Sequence, residues 1–156
     1  MVHNINKKDI QIISHLREDA RMSLTQMSKS TRIPVSTIFD RIKSNDFIVK
    51  HTALLDFAKL GYFTRANISI KVDREDKEEL KKFLLKNNHV NSLYRINDNF
   101  DFLIEGIFIH ISDMEEFIDM MESRFKIIEK KTQYILEDIK REGFMSTMNY
   151  PFINSQ

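Results

Sequence analysis

Leu24-Thr25-Gln26-Met27-Ser28-Lys29-Ser30, then Thr31-Arg32-Ile33-Pro34, then Val35-Ser36-Thr37-Ile38-Phe39-Asp40-Arg41-Ile42-Lys43: the reading of these three consecutive stretches decides the fold. The first is a short amphipathic run and the second breaks it. The third resumes helical spacing, with Ile38 and Ile42 four apart on one side. Ser44-Asn45-Asp46 stops it, because Asn and Asp tolerate the left-handed turn that Gly often provides. Phe47–Leu55 then alternates like a strand. A short helix that buries Ile38 and Ile42 and turns Ser36, Asp40 and Lys43 outward has the shape to enter a DNA major groove.

N-terminal to this stretch, Asn6 is placed to cap a helix over Lys7–Glu18, in which Ile10, Ile13 and Leu16 recur at helical spacing with Ile12 beside them. Ser23 is placed to cap the second helix, with Leu24 and Met27 facing inward. Pro34 starts the third, since its fixed φ and missing N–H suit a first turn. Three helices followed by a strand make the winged or linked form of helix-turn-helix.

The rhythm changes after residue 60. Ala66–Val72 alternates with period two, Asp76–Asn87 places Leu80, Phe83 and Leu84 on one helical face, and Val90–Ile96 reads as a strand. Asn97-Asp98-Asn99 is a turn and Phe100–Phe108 the returning strand. Ser112 is placed to cap a helix with Met114, Phe117, Ile118 and Met121 on one face. Ile127–Leu136 closes as a strand, and Glu137–Glu142 extends as a helical turn. The order βαββαβ is the ferredoxin-like pattern, an antiparallel sheet with two helices on one face. Self-association is the simplest cover for its open face. The expected class is therefore α+β: a winged helix-turn-helix domain with its linker strand over residues 1–60, a ferredoxin-like ligand-sensing and oligomerisation domain over 61–142, and a C-terminal tail over 143–156, in which Tyr150-Pro151-Phe152 docks on a neighbour or hangs loose.

Composition narrows the function. The 156 residues suit one domain or two small ones, and 42% hydrophobic content with 12 Phe argues against disorder. No apolar run approaches the ~18 residues of a membrane span, and no charged-then-apolar start suggests a signal peptide. Cysteine is absent, which rules out disulfides, thiolate zinc sites and a Cys nucleophile, and fits a reducing compartment. Net charge is only +1, but it is divided. Residues 1–60 hold ten Lys/Arg against six Asp/Glu (+4), while 61–156 hold fourteen against seventeen (−3). The basic part is the part with the helical motif, as phosphate neutralisation requires.

Other chemistries find little support. His3, His15, His51, His89 and His110 form no close metal spacing, and the His110/Asp113 pair alone makes no site. There is no Gly-rich phosphate loop, and the eight Met residues mostly fall at helical core spacing. Carboxylate runs such as Glu75–Glu79 read as exposed helix faces. No catalytic residue, metal or cofactor is expected.

Across residues 4–142 the chain resembles the Lrp/AsnC (feast/famine) family of bacterial and archaeal transcription regulators. The carriers are Asn6-Lys7-Lys8-Asp9 with Ile13 and Leu16, Asp19-Ala20-Arg21, and Ile33 to Ile42 with its Arg41-Ile42 pair. Further along come Phe47-Ile48 with Thr52-Ala53, Leu60-Gly61, Asn97 to Asp101, and Thr132 with Ile135-Leu136. Their order and spacing, rather than any one motif, make the likeness. It implies double-stranded DNA as partner of the first domain, a homodimer and often an octamer through the second, a small-molecule effector such as an amino acid between packed sheets, and a cytoplasmic, nucleoid-associated location without membrane contact. The alternative reading is an amino-acid sensor or oligomerisation module with little specific DNA binding. Sirohaem decarboxylases resemble the same architecture, but the Arg/His-rich segments they carry are not found here.

Three departures from the family pattern limit what carries over. About three residues are missing between the Arg41-Ile42 pair and the strand, with Asp46 in the usual Gly position. Pro34 replaces the usual Ser before the third helix. The effector-associated loop, generally Thr-Gly-x-aromatic-Asp, is Asn97-Asp98-Asn99-Phe100-Asp101. Asp98 adds a side chain and a negative charge where a backbone approaches ligand, so a ligand carboxylate is repelled and an ammonium favoured. The usual amino-acid response is therefore expected to be altered or lost.

The candidate DNA-facing residues are Lys29, Arg32, Val35, Ser36, Thr37, Phe39, Asp40, Arg41 and Lys43. Ser36 and Thr37 suit bases or phosphates, Asp40 suits cytosine N4, and Lys43 suits phosphate, as do Lys29 and Arg32 near the turn. Phe39 either meets a thymine methyl or packs against the first helix. Arg41 either binds phosphate or braces the domain. The candidate effector-facing residues are Asn97, Asp98, Asn99, Phe100 and Asp101.

Overall fold

The computed structural model describes residues 5–44 and 47–147. The helix stop expected at Asn45-Asp46 and the Tyr150-Pro151-Phe152 segment lie outside them. The chain divides into two compact units, Met1–Leu54 with Ile139–Gln156, and Leu55–Asp138.

The first unit is built on α1 (Lys7–Glu18), α2 (Leu24–Thr31) and α3 (Val35–Ser44). Two reciprocal caps fix where the first two helices start. The Asn6 side chain accepts from the Lys8 and Asp9 N–H groups at 3.0 and 3.1 Å, and Asp9 accepts the Asn6 N–H at 3.0 Å. Ser23 Oγ accepts the Gln26 N–H at 3.2 Å while Gln26 Oε1 accepts the Ser23 N–H at 3.1 Å. The core holds Ile12, Met27, Ile33 and Ile38, with Leu16, Met22, Leu24 and Ile42 packed on it. Each fully buried side chain of this size contributes about 1.5–3 kcal/mol.

Three expectations change here. The inward stripe of α1 runs through Ile12 and Leu16, one turn apart, so Ile13 sits half-buried on the flank. The strand expected over Phe47–Leu55 does not form; apart from a turn at Phe47, this stretch has no regular secondary structure. Alternation gives a strand its two faces, but a strand also needs a ladder partner, and the described residues of this unit offer only helices and turns. The helical turn expected over Glu137–Glu142 is also absent. Glu142 and Met145 instead take left-handed φ values of 51° and 59°. Residues 139–147 lie on α1, where Arg17 Nε donates to the Phe144 carbonyl at 3.0 Å and Nη2 donates to the Glu142 carbonyl at 2.6 Å. A cleft of about 630 Å³ lies among Ile13, Leu16, Phe47, Ile48, Phe144 and Met145.

The second unit opens with a single 3-10 turn (Ala58–Leu60), followed by β1 (Thr64–Val72), α4 (Lys77–Lys86), β2 (Val90–Arg95), β3 (Phe102–Phe108), α5 (Ile111–Arg124) and β4 (Ile127–Tyr134). The sheet is antiparallel with order β2-β3-β1-β4. Ala66, Ile68, Ile70 and Val72 of β1 and Phe102, Ile104 and Phe108 of β3 meet Leu80 and Leu84 of α4 and Met114, Phe117, Ile118 and Met121 of α5. The α5 cap falls at His110, not Ser112; the His110 N–H donates to Asp113 Oδ2 at 2.9 Å. Gly106 is required where a Cβ would stand 2.5 Å from the buried Phe108 ring.

The open sheet face is mixed. The cross-strand rows Ser92–Glu105–Asn67–Gln133 and Tyr94–Leu103–Ser69–Lys131 run along it. Arg65 pairs with Glu105 at 2.5 Å and with Asp138 at 2.6 Å. Burial pushes the Glu105 carboxyl up, but donors from Asn91, Arg65 and Ser92 outweigh it and hold the group below its ordinary value.

Candidate nucleic-acid interface

The turn between α2 and α3 is fixed by three local devices. Thr31 Oγ1 donates to the Met27 carbonyl at 2.8 Å and accepts the Ile33 N–H at 3.2 Å. Arg32 takes the left-handed conformation at φ 58° and closes α2. Ile33, only 3% exposed, anchors the turn in the core. The Pro34 carbonyl then accepts the Ile38 N–H at 3.0 Å, so Pro34 stands at the mouth of α3 and its missing N–H costs nothing.

With Ile38 fully buried and Ile42 half-buried, the opposite side of α3 is left to solvent. Val35, Ser36, Phe39, Asp40 and Lys43 are exposed and Thr37 is half-buried. Phe39 is 52% exposed, so its ring does not complete the packing against α1. Lys43 Nζ lies 5.9 Å from that ring's centroid, within cation–π range. Lys29 and Arg32 are exposed at the end of α2. Among the described residues, Lys29, Arg32 and Lys43 have no carboxylate partner. The region therefore offers three cations, two hydroxyls, one carboxylate and an apolar strip, Val35 and Phe39, one helical turn apart.

Arg41 is placed differently from its neighbours. Its guanidinium donates to Asp9 Oδ1, and the Asp9 side chain is only 6% exposed. One carboxylate thus closes the α1 cap with Oδ2 and holds α3 with Oδ1. This coupling spans 32 positions in the chain and was not foreseen for Asp9. Its only sequence signal is an acid three residues after a capping Asn.

In the second unit, the Asn97–Asp101 loop is a tight β2–β3 turn. Asp98 and Asn99 are both left-handed, at φ 61° and 72°. Adjacent left-handed positions favour Asn, Asp and Gly, and here they are supplied without Gly. Asn99 accepts from Lys71 at 2.6 Å and donates to Glu129 at 2.9 Å, tying the turn to β1 and β4. Asp101 accepts the Val72 N–H at 3.0 Å and pairs with Lys77 at 2.6 Å. Burial raises the Asp101 carboxyl, but Lys77, the Val72 N–H and Lys71 outweigh it and leave the group below its ordinary value. Asn97 and Asp98 are exposed, Phe100 is half-buried, and Asp98 has no described partner. Among the described residues, no three His, Cys, Asp or Glu groups gather to hold a metal. No described helix is long and apolar enough to cross a membrane.

The winged helix-turn-helix DNA-binding family matches residues 5–44, the segment from α1 through α3. The chain is 30% identical over 126 residues to the HTH-type transcriptional regulator FL11 of Pyrococcus furiosus, covering 79% of this chain and 82% of that protein. Its fold is similar to that of a Neisseria meningitidis transcriptional regulator solved with L-methionine, with a TM-score of 0.81, 20% identity, and coverage of 88% and 94% of the two chains. It is also similar to Bacillus subtilis LrpC, with a TM-score of 0.79, 20% identity, and coverage of 88% and 98%. At 88% of this chain, both structural likenesses extend over residues of both units.

Proposed function

The chain belongs to the Lrp/AsnC family of DNA-binding transcription regulators, and on that premise we propose that the outer face of α3 enters the major groove of duplex DNA. The observation that carries this is the exposed side of α3, with Lys43 on it and Lys29 and Arg32 beside it, none of the three having a carboxylate partner among the described residues. Ser36, Thr37, Val35, Phe39 and Asp40 meet base edges, and the three cations meet phosphates. Arg41 acts through Asp9, holding α3 at its angle to α1.

Two copies pair through the open sheet faces, where Tyr94 and Leu103 stand beside the Arg65–Glu105 pair. Larger assemblies such as an octamer build on that pair. Paired heads then meet groove segments about 34 Å apart, or a multiple of that, and the operator is pseudo-palindromic. The regulator works in the cytoplasm on the nucleoid and performs no catalysis of its own. An effector binds beside the Asn97–Asp101 loop and shifts assembly or head spacing. Asn99 and Asp101 are already engaged within the chain, and Asp98 has no partner among the described residues. That arrangement supports a site that disfavours a ligand carboxylate and departs from the L-methionine-type response.

The test is fluorescence anisotropy of the full chain on its own promoter and on random duplex, across a salt series. Lys43→Ala should weaken both and lower the salt slope by about one, whereas Ser36→Ala should change sequence preference. Unchanged random-duplex binding by Lys43→Ala would refute the α3 assignment. For the effector, calorimetry against the twenty amino acids should give no tight binder of the leucine or methionine kind.

A further inference from the structure

The outer face of α3 is poor in side chains that read purines by paired hydrogen bonds, with Lys43, which lies near the Phe39 ring, the one long donor on it. It carries no Asn or Gln for adenine, and its one Arg, Arg41, is drawn back onto Asp9. What it does present is apolar. Val35 is 41% and Phe39 52% exposed, on one side of the helix at positions i and i+4. Single exposed apolar residues are ordinary, but these two adjoin each other on the side of α3 that carries Lys43, so a polyanion drawn to that side meets them as well. The occupant must also satisfy the flanking charge, since Lys29, Arg32 and Lys43 have no described carboxylate partner. A polyanion that displays apolar groups between its charges meets both conditions. In the major groove, the only apolar group on a base edge is the thymine C5-methyl.

We propose that this regulator selects its sites chiefly by thymine methyl groups, one seated against Val35 and one against Phe39 in each half-site. The inference rests on the assignment of α3 to the major groove and adds what the helix reads there. The two side chains are separated by about 6 Å along the helix axis. Where α3 follows the groove, that separation corresponds to thymines about two base steps apart. Lys43 Nζ, 5.9 Å from the Phe39 ring centroid, puts an ammonium beside that ring, where it meets a phosphate next to the thymine. Asp40, exposed one residue beyond Phe39, favours a cytosine N4 amino group beside the Phe39 thymine and disfavours an acceptor edge.

The experiment alters the DNA rather than the protein, so folding of a variant is not at issue. A site selected from genomic fragments by the full chain is resynthesised with deoxyuridine in place of each thymidine in turn. This removes one methyl and keeps every hydrogen-bonding group. Two positions per half-site should bind about three- to five-fold more weakly, the amount expected for one buried methyl. The penalty at one of them should shrink in Phe39→Ala, and the penalty at the other in Val35→Gly, because the shortened side chain no longer reaches the methyl. If the chain selects sequence but every deoxyuridine site binds as tightly as its parent, thymine reading is overturned and the α3 assignment stands. If the penalties persist unchanged in both Phe39→Ala and Val35→Gly, the methyls are read by other residues and the proposal is likewise overturned. If no duplex is bound at all, both readings fall together.

Discussion

Removing the Asp9 carboxylate separates the two roles open to Arg41. Asp9 Oδ2 accepts the Asn6 N–H at 3.0 Å, and Oδ1 accepts from Arg41. Losing the cap bond in Asp9→Ala costs about 1 kcal/mol. Leaving Arg41 unpaired adds about 1–2 kcal/mol, below the ~3–5 kcal/mol of a fully buried broken pair. The discount follows from Arg41, whose side chain keeps 29% of its exposure. The total is roughly 2–3 kcal/mol in the helical unit. Asp9→Asn retains an acceptor for the Asn6 N–H and should recover the cap portion only. A double-mutant cycle of Asp9→Ala with Arg41→Ala, read by denaturant unfolding of the full chain, should give a coupling of about 1–2 kcal/mol. Asp9→Ala should also weaken DNA binding, although Asp9 is buried, because α3 loses its tie to α1. Energies that add to within about 0.3 kcal/mol, together with a salt slope lowered by about one in Arg41→Ala alone, would refute the bracing role and make Arg41 a phosphate contact.

Three further outcomes follow from other parts of the molecule. Arg17→Ala removes the donors to Phe144 and Glu142, at a cost of about 1 kcal/mol for a partly exposed site. Limited proteolysis should then cut within residues 139–147 faster than in the parent. Gly106→Ala forces a Cβ against Phe108, itself stacked on His89 at 4.8 Å, and should destabilise the sheet unit by about 1–3 kcal/mol in thermal unfolding. Asp101 and Glu105 are both depressed from ordinary values of 3.8 and 4.5, so their stabilisation is present above those values and lost as pH falls through the folded ones. Unfolding midpoints should therefore drop in acid. Asp101→Asn should lose stability at neutral pH, and its deficit against the parent should narrow as pH falls below 3.8 through the folded value; an unchanged deficit across that range would exclude the ionic contribution.

The legible parts of the fold were those with local causes. Asn6 and Ser23 announced their helices because capping is decided within four residues. The βαββαβ order followed from periodicity and held through β4, apart from shifts at element ends such as the His110 cap. The segment Phe47–Leu55 misled because its alternation was real while a ladder partner was not at hand. Glu137–Glu142 had helix-forming composition, but Asp138 is held by Arg65 and Glu142 by Arg17, and those distant tertiary bonds override local preference. The α3 face was visible from Ile38 and Ile42 alone. What it does with Phe39 and Arg41 was not, because exposure of one and capture of the other depend on α1, a long way off in the chain.

The absence of cysteine permits the most direct test of where α3 goes. Ser36→Cys introduces a single thiol on the exposed side of the helix, and an iron chelate attached there cleaves DNA within its reach. Cleavage confined to the major groove, at two positions about 34 Å or a multiple of it apart, is the predicted result. Bound DNA left uncut from Ser36→Cys, but cut from the same reagent on Glu122→Cys of α5, would contradict the account.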